Sequence, residues 1–306
     1  MWYGNSLRSS RGYTTHSEHR LAARRSNPTY SDILSATKAA VRVFEARGTP
    51  VCAVGGLACK LLGNPRMPND VDLLLLDTVS SQEQLKQTLV NANSQFYLIP
   101  ARDPLATYKV LWYRTAADVR VKVDLLQPGI MSIPNISPRE IEHKDTSHGG
   151  TRARIPLAPF GLVLLLKLQA WEQHRDSSEY RFREKQYTDA RDINVLLPLA
   201  VADQVTFDSL PSEFLGEARK RVVLYTGLYP ETERSWQELG LIKATKRQAP
   251  TATVSHARTS TSRYSRAAAS YARTDELASL FDRMRVSNRT GSHTIGSRES
   301  WLSDYD

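Results

Sequence analysis

The chain has 306 residues, of which 41% are hydrophobic and 24% charged, and its formal net charge is +9. This apolar content is enough for a packed core in one large or two small domains, and no run of 18 apolar residues could span a membrane. The N-terminus also lacks the apolar core of a secretory signal peptide, so we expect a cytoplasmic or nuclear protein. Its Arg- and Ser-rich composition keeps mitochondrial import as the alternative.

The positive charge is concentrated at the two ends of the chain. Residues 1–29 carry a net charge of +4 and residues 242–306 carry +5, whereas 30–241 are neutral overall. Both ends are polar, and 1–29 lack apolar periodicity, so we predict two disordered basic tails. Apolar spacing at Asp275–Met284 indicates a short amphipathic helix, either a partner-binding segment or only a local propensity. Such tails either contact RNA or acidic partners or are solvated ends. The neutral body counts against a basic RNA-binding protein without enzymatic activity.

The first predicted helix follows the tail. Ser31 is a candidate N-cap, apolar residues such as Ile33, Leu34 and Phe44 recur at helical spacing, and Gly48 ends the helix. We expect this helix to be scaffold.

The next stretch, Val51–Asp77, contains candidate residues for ligand and metal binding. It predicts a buried strand at about 50–54, a turn at Gly55-Gly56, a helix at about 56–63 and a strand at about 70–77. Residues two apart in a strand share a face, so Asp70 and Asp72 point the same way, and two such carboxylates repel unless a cation lies between them. Mg²⁺ takes oxygen ligands of this kind, and a glycine turn before a helix lets backbone approach a phosphate. These features together predict a site for a nucleoside triphosphate and its metal.

The two cysteines of the chain, Cys52 and Cys59, flank this turn. They show no metal-ligand spacing, so we expect small buried side chains in a reducing compartment. We likewise expect His143 and His148 to lie in a polar loop and not to ligate metal.

Beyond a surface helix from Ser81 to about Asn93, strands are predicted at 96–99, 108–113 and 119–126. The last of these alternates, with Arg120, Lys122, Asp124 and Leu126 on one face and valines on the other. Taken alone, Asp124 fits equally well as a surface residue of an edge strand or as a third metal ligand.

From Pro159 the pattern becomes helical. Lys167 lies inside an apolar helix, where an ammonium must reach solvent or meet an anion. The following helix offers Asp189 and Asp192, which lie three residues apart and share a face. Further helices are predicted near Phe207 and at Ser212–Tyr225 and Glu231–Leu239.

Several of these residues carry a family resemblance. Gly55-Gly56, Arg66 and Asp70-Val71-Asp72 with the aliphatic run after it resemble the signature of the DNA polymerase β-type nucleotidyltransferase superfamily. The form GGLACKLLGNPRMPNDVDLLLL is most similar to its AbiE-toxin-like (AbiEii) branch. The resemblance implies an α/β (α+β) fold: a nucleotidyltransferase core with a mixed sheet over 30–150, joined to a helical part of the same catalytic unit over 151–241.

The resemblance also implies roles and a reaction. A nucleoside monophosphate would pass from an NTP to a hydroxyl acceptor with release of pyrophosphate, and Mg²⁺ or Mn²⁺ would be the cofactor. The acceptor stays open between an RNA end, a protein and a small molecule, and the rival interpretation is a non-catalytic nucleotide- or RNA-binding relative. The implied residues are Asp70, Asp72 and Asp124 for the metal, Gly55, Gly56, Arg66 and Lys167 for the triphosphate, and Asp189 or Asp192 as the group that orients Lys167 or acts as general base.

Overall fold

The computed structural model describes residues 27–243 except 102–106 and 117–118. These residues form two compact units: a sheet unit that contains 27–61, 65–100 and 108–158, and a helical unit that contains 62–64, 101, 107 and 159–243. Apart from 27–29 and 242–243, the predictions for the tails, including the helix at Asp275–Met284, lie outside the described residues.

The sheet unit contains one seven-stranded mixed sheet, with the strand order β3-β4-β5-β2-β1-β7-β6. The pairs β2–β5 and β1–β7 are parallel, and the other pairs are antiparallel. The strands are β1 (Val51–Ala53), β2 (Asp70–Leu75), β3 (Phe96–Pro100), β4 (Lys109–Arg114), β5 (Arg120–Leu126), β6 (Glu142–His148) and β7 (Thr151–Leu157).

Three helices belong to this unit: α1 (Tyr30–Glu45), α2 (Gly55–Leu61) and α3 (Gln82–Ala92). The prediction of Ser31 as the N-cap of α1 is wrong. Thr29 caps the helix: its hydroxyl accepts from the Asp32 N–H at 3.3 Å, while the Asp32 carboxylate accepts from the Thr29 N–H at 2.9 Å. This reciprocal capping box satisfies two N–H groups at the helix start, which Ser31 within the first turn does not do.

The two faces of the sheet differ, because successive side chains of a strand point to opposite sides. One face carries fully buried residues such as Val71 and Leu73 on β2 and Val121 and Val123 on β5, and α1 and α3 cover it. Burial of these aliphatic side chains supplies much of the driving force for folding of this unit. The opposite face carries the alternate residues of the same strands, and we call it the site face.

The helical unit consists of α4 (Phe160–Arg175), α5 (Tyr180–Ala202), α6 (Ser212–Leu228) and α7 (Glu233–Glu238). The predicted change to helix at Pro159 is confirmed, while the predicted helix near Phe207 is wrong. Residues 203–211 form turns, and the buried Phe207 ring packs so tightly on α4 that a Cβ added at Gly161 would lie 3.0 Å from its Cδ1. The predicted class, a mixed-sheet α/β core followed by a helical half, is confirmed.

The cysteines are buried, as expected. Cys52 on β1 and Cys59 on α2 are each at most 1% exposed, and burial raises the pKa of the Cys52 thiol to about 12. His143 and His148 lie on β6 and not in a loop, so that part of their prediction is wrong. The His148 ring packs edge-on against Tyr30, with 5.4 Å between the ring centroids.

Candidate active site

Three carboxylates meet on the site face where β2 and β5 run side by side. The two strands pair in parallel, with Asp72 aligned with Asp124 and Asp70 aligned with Lys122. Aligned residues of neighbouring strands point to the same face, so the pairing brings Asp124 to the two carboxylates of β2. One oxygen from each of Asp70, Asp72 and Asp124 lies within 4.8 Å of the others, and all three residues are half-buried.

This cluster has the donor chemistry of a divalent-metal site. Three like charges at such separations repel one another, and a bound cation would convert the repulsion into attraction. Carboxylate oxygens are the ligands that Mg²⁺ and Mn²⁺ prefer, and Mg²⁺ keeps water or phosphate oxygens in the rest of its shell. The partial exposure of the carboxylates leaves access for those ligands. The residues present therefore fit the expected ion.

Gly55 lies directly against the Asp72 side chain of the cluster. Its backbone has a positive φ of 59°, and a Cβ at this position would lie 2.6 Å from the Asp72 Cγ. Any larger residue would thus be strained in its own backbone and would also displace the Asp72 carboxylate. The Val54 N–H donates to the Asp72 carbonyl at 3.0 Å and so holds the turn against β2.

Gly56 brings the backbone close to Arg66. A Cβ at Gly56 would lie 3.3 Å from the Arg66 Nη2, so the glycine makes room for the guanidinium beside the turn. The Arg66 Nη1 also donates to the Met67 carbonyl at 3.3 Å. The structure therefore places the two predicted glycines, the predicted arginine and Asp72 in one neighbourhood.

Lys122 is a residue of this site that the sequence reasoning did not assign. Its Nζ lies 3.2 Å from the Asp124 Oδ2, and its side chain is only 13% exposed. The alternation of β5 already placed Lys122 on the face of Asp124, two residues away, so the signal was present. In the structure its ammonium partly neutralises the carboxylate cluster.

The remaining predicted residues form a second cluster, inside the helical unit. The Lys167 Nζ on α4 lies 3.1 Å from the Asp189 Oδ1 and 3.2 Å from the Asp192 Oδ2 on α5. The two aspartates are 5% and 1% exposed in their side chains. Of the two outcomes considered for Lys167, the structure shows the ion pair with this helix.

Two further residues complete the helical cluster and were missed. The His174 Nδ1 lies 2.6 Å from the Asp189 Oδ2, and the Asn64 Nδ2 donates to the Asp192 Oδ1 at 2.9 Å. His174 follows Lys167 by seven residues, two helical turns, so the helical period could have indicated a shared face. Asn64 is remote in sequence and gave no such signal. Buried charges of this kind are stable only when hydrogen bonds and partners satisfy them.

Comparisons with known proteins give likenesses of architecture. No family model matches the sequence, and no curated protein matches it. Among solved structures, the chain is similar to an antigenic nucleotidyltransferase-like protein from Paracoccidioides brasiliensis, at 18% identity and a TM-score of 0.49 over 68% of this chain and 94% of the other.

Two other solved structures are similar at lower scores. One is ANT(2″)-Ia in complex with adenylyl-2″-tobramycin, at 12% identity and a TM-score of 0.30 over 53% of this chain and 93% of that chain. The other is the CCA-adding enzyme of Thermotoga maritima complexed with tRNA, at 12% identity and a TM-score of 0.24 over 70% of this chain and 55% of that chain. Because these scores do not identify an activity, the chemistry has to be inferred from the side chains of this chain.

The helices of the described residues are all too short or too polar for one particular role: none of them combines the length and the apolar character that are needed to cross a bilayer.

Proposed function

We propose that this chain is a metal-dependent nucleotidyltransferase that moves a nucleoside monophosphate from an NTP to a hydroxyl acceptor and releases pyrophosphate. The observation that carries the proposal is the convergence of Asp70, Asp72 and Asp124 within 4.8 Å on two parallel strands, beside a turn that admits only glycine under Asp72. Stability alone gives no reason to hold three like charges together. The resemblance of the Gly-Gly, Arg and Asp-x-Asp residues to the nucleotidyltransferase signature supports the same conclusion.

In this proposal Asp70 and Asp72 hold the metal that accompanies the triphosphate, and Asp124 completes the ligand set. Divalent ions bound there would neutralise the triphosphate and stabilise the charge that develops during transfer. The Gly55-Gly56 turn lets the triphosphate approach the backbone, and Arg66 beside Gly56 offers it positive charge.

In this proposal Asp124 also accepts the proton of the attacking hydroxyl. The acceptor oxygen forms a bond to the α-phosphorus, the bond from that phosphorus to the bridging oxygen of the β-phosphate breaks, and pyrophosphate leaves. For Asp124 to act in this way, the Lys122 ammonium, 3.2 Å away, must exchange its partner for a phosphate or the incoming substrate.

The helical cluster is assigned a supporting role in the proposal. Following the resemblance, Lys167 is assigned to the triphosphate, with Asp189 or Asp192 orienting its ammonium, while Asp124 is the general base of this proposal. The contacts of Lys167 with both carboxylates at 3.1 and 3.2 Å support the orienting role. These roles are taken from the resemblance to the AbiE-toxin-like branch.

The binding test measures each NTP by calorimetry, with Mg²⁺ and with EDTA. We expect wild-type protein to bind NTP only with the metal and Asp72→Asn to lose this binding. Asp145→Asn, the same change at an exposed position on β6 of the same sheet, is the control and should bind normally. Unaltered binding by Asp72→Asn would contradict the proposed site.

A transfer test separates the enzyme from the non-catalytic binder. Each labelled NTP is incubated with the protein, total RNA and a protein extract, and covalent label is followed into RNA, protein and small molecules. Transfer that depends on Asp124 supports the enzyme and identifies base and acceptor together. Metal-dependent binding without transfer of any label would instead support the nucleotide-binding relative.

A further inference from the structure

The site face continues beyond the carboxylates as a surface of aromatic and basic side chains. In the registers of the sheet, Trp112 is aligned with Lys122, Arg114 with Arg120, and Tyr97 with Trp112. Since aligned residues share a face, these five side chains lie on the same side of the sheet as Asp124. We call them the platform.

The two arginines of the platform are held close together on one ring. Arg114 and Arg120 are opposite each other on antiparallel strands, and their guanidinium carbons lie 5.2 and 5.9 Å from the centroid of the Tyr97 ring. The ring attracts both cations through its face. The pairing therefore concentrates two positive charges at one place on the site face.

Polar atoms of the platform also lack partners. The Arg120 Nε and the Tyr97 hydroxyl are buried and have no hydrogen-bond partner within the part of the chain that the structure describes. A buried donor without an acceptor costs free energy, which an anionic ligand on the arginines would recover in part. The half-buried Trp112 is aligned with Lys122, midway along β5 between Arg120 and Asp124, and lies on the same face.

We propose that the platform binds a single-stranded nucleic acid whose 3′ end is the acceptor for the transferred nucleotide, an inference that rests on the proposed function. Arg114 and Arg120 take backbone phosphates, Trp112 stacks on a base, and the terminal 3′ hydroxyl reaches Asp124. Asp124 follows Arg120 by four positions on β5, roughly 13 Å along the strand, so the platform leads from the basic pair to the metal cluster.

The chemistry of the platform favours this ligand over a protein hydroxyl. A groove that combines cations with aromatic rings is typical of single-strand binding, because phosphates need positive charge and every base offers a face for stacking. The body of the chain is neutral overall, so this local concentration of cations is not a consequence of general basicity. The transferred group would form a bond to the 3′ oxygen, pyrophosphate would leave, and Asp124 would take the proton.

The test measures binding of a fluorescent 12-nucleotide single-stranded RNA to the full chain in EDTA, as a function of salt. The variant Arg114→Gln with Arg120→Gln is compared with Arg42→Gln with Arg47→Gln, which removes the same charge from exposed positions at the end of α1, the helix that covers the other face. This control accounts for binding by the basic tails, which both variants retain.

We expect the platform variant to bind at least about tenfold more weakly than the control, and the slope of log K against log salt to fall by about 1.4, the value for two lost phosphate contacts. Trp112→Leu should weaken binding about tenfold without changing the slope. Arg114→Gln alone, at an exposed position, should give about half of the slope change and serves if the double variant does not fold.

If RNA binding weakens equally in both double variants, or in neither, the proposal that the platform binds RNA is contradicted. It is also contradicted by a duplex of the same sequence that binds as tightly as the single strand, or by label transfer to protein only. A single-stranded DNA arm decides whether the 2′ hydroxyl is read. The inference fails separately from the proposed function: a chain that binds NTP with Mg²⁺ but not RNA contradicts the platform alone, whereas RNA binding without metal-dependent NTP binding contradicts the transferase.

Discussion

The aspartate clusters of the two units differ in the exposure of their side chains and in their contacts with lysine. In the sheet unit three aspartates converge on the site face, with the Asp124 side chain 27% exposed and Lys122 at 3.2 Å. In the helical unit two aspartates, 5% and 1% exposed, surround the ammonium of Lys167.

The difference shows which cluster can exchange its cation. The helical cluster has an internal cation within 3.2 Å of both carboxylates, and its neighbours Asn64 and His174 hold them in place. Its desolvated charges depend on one another, so it acts as a fixed part of the protein. The three carboxylates of the sheet cluster are only half-buried, and this partial exposure gives access to a hydrated metal and a triphosphate.

The largest effect is expected in the helical cluster. Lys167→Met leaves two buried carboxylates without their central ammonium and should lower the free energy of unfolding by about 3–5 kcal/mol, measured by urea titration. Lys220→Met, which removes an exposed ammonium of α6, should change it by less than about 1 kcal/mol. A small loss in Lys167→Met would show that the cluster is not a fixed structural element and would break the comparison.

The same kind of change in the sheet cluster should spare stability and remove activity. Asp124→Asn relieves repulsion among three carboxylates, so we expect the free energy of unfolding to stay within about 1 kcal/mol of wild type. Nucleotidyl transfer should fall by about 10³-fold, equivalent to about 4 kcal/mol in the barrier. A loss of stability as large as that of Lys167→Met would indicate that the carboxylates of the sheet are structural.

Replacing Gly55 tests whether the turn positions Asp72. Gly55→Ala should destabilise the chain by about 1–3 kcal/mol, because of its positive φ and the contact with the Asp72 carboxylate. It should also weaken Mn²⁺ binding at least about tenfold, as followed by electron paramagnetic resonance. Gly48→Ala is the matched control, since its φ of 70° is equally strained but its Cβ would meet nothing within 4 Å. If both variants bind Mn²⁺ alike, the turn does not position the ligand.

The smallest effect concerns an aspartate outside both clusters. Asp77, just past β2, accepts from the N–H groups of Ser80 at 2.9 Å and Val79 at 2.8 Å. The hydrogen bonds from Ser80, then that from the Val79 N–H, hold the pKa of Asp77 below its ordinary 3.8. Its contribution to stability is thus present above pH 3.8 and is lost as the pH falls through the lower folded-state pKa.

Asp77→Asn should therefore cost roughly 0.5 kcal/mol or less at pH 7, and the difference from wild type should disappear in the acid range below 3.8. Urea titrations of both proteins between pH 7 and pH 3 measure it. A difference that grows in acid would have the wrong sign and would contradict this account of the turn.

Most of the secondary structure could be read from local pattern. The spacing of Asp70 and Asp72, the alternation around Asp124 and the helical run through Lys167 each place a side chain on a face, because the period of a strand or helix is a property of the backbone. The misassigned details had competing local signals. Thr29 and Ser31 are both residue types that favour the N-cap position. The apolar Phe207 can pack into the core from a turn as well as from a helix.

The sequence by itself determined the residue types of the candidate site, the faces on which they lie and the class of the fold, since these follow from residues a few positions apart. Only the tertiary structure decided that β2 and β5 are neighbours with Asp72 beside Asp124, that His174 and Asn64 close the helical cluster, and that two arginines share the ring of Tyr97. Those facts depend on strand order, register and helix packing. Burial of apolar surface across the whole chain sets them, and no short stretch of sequence encodes that.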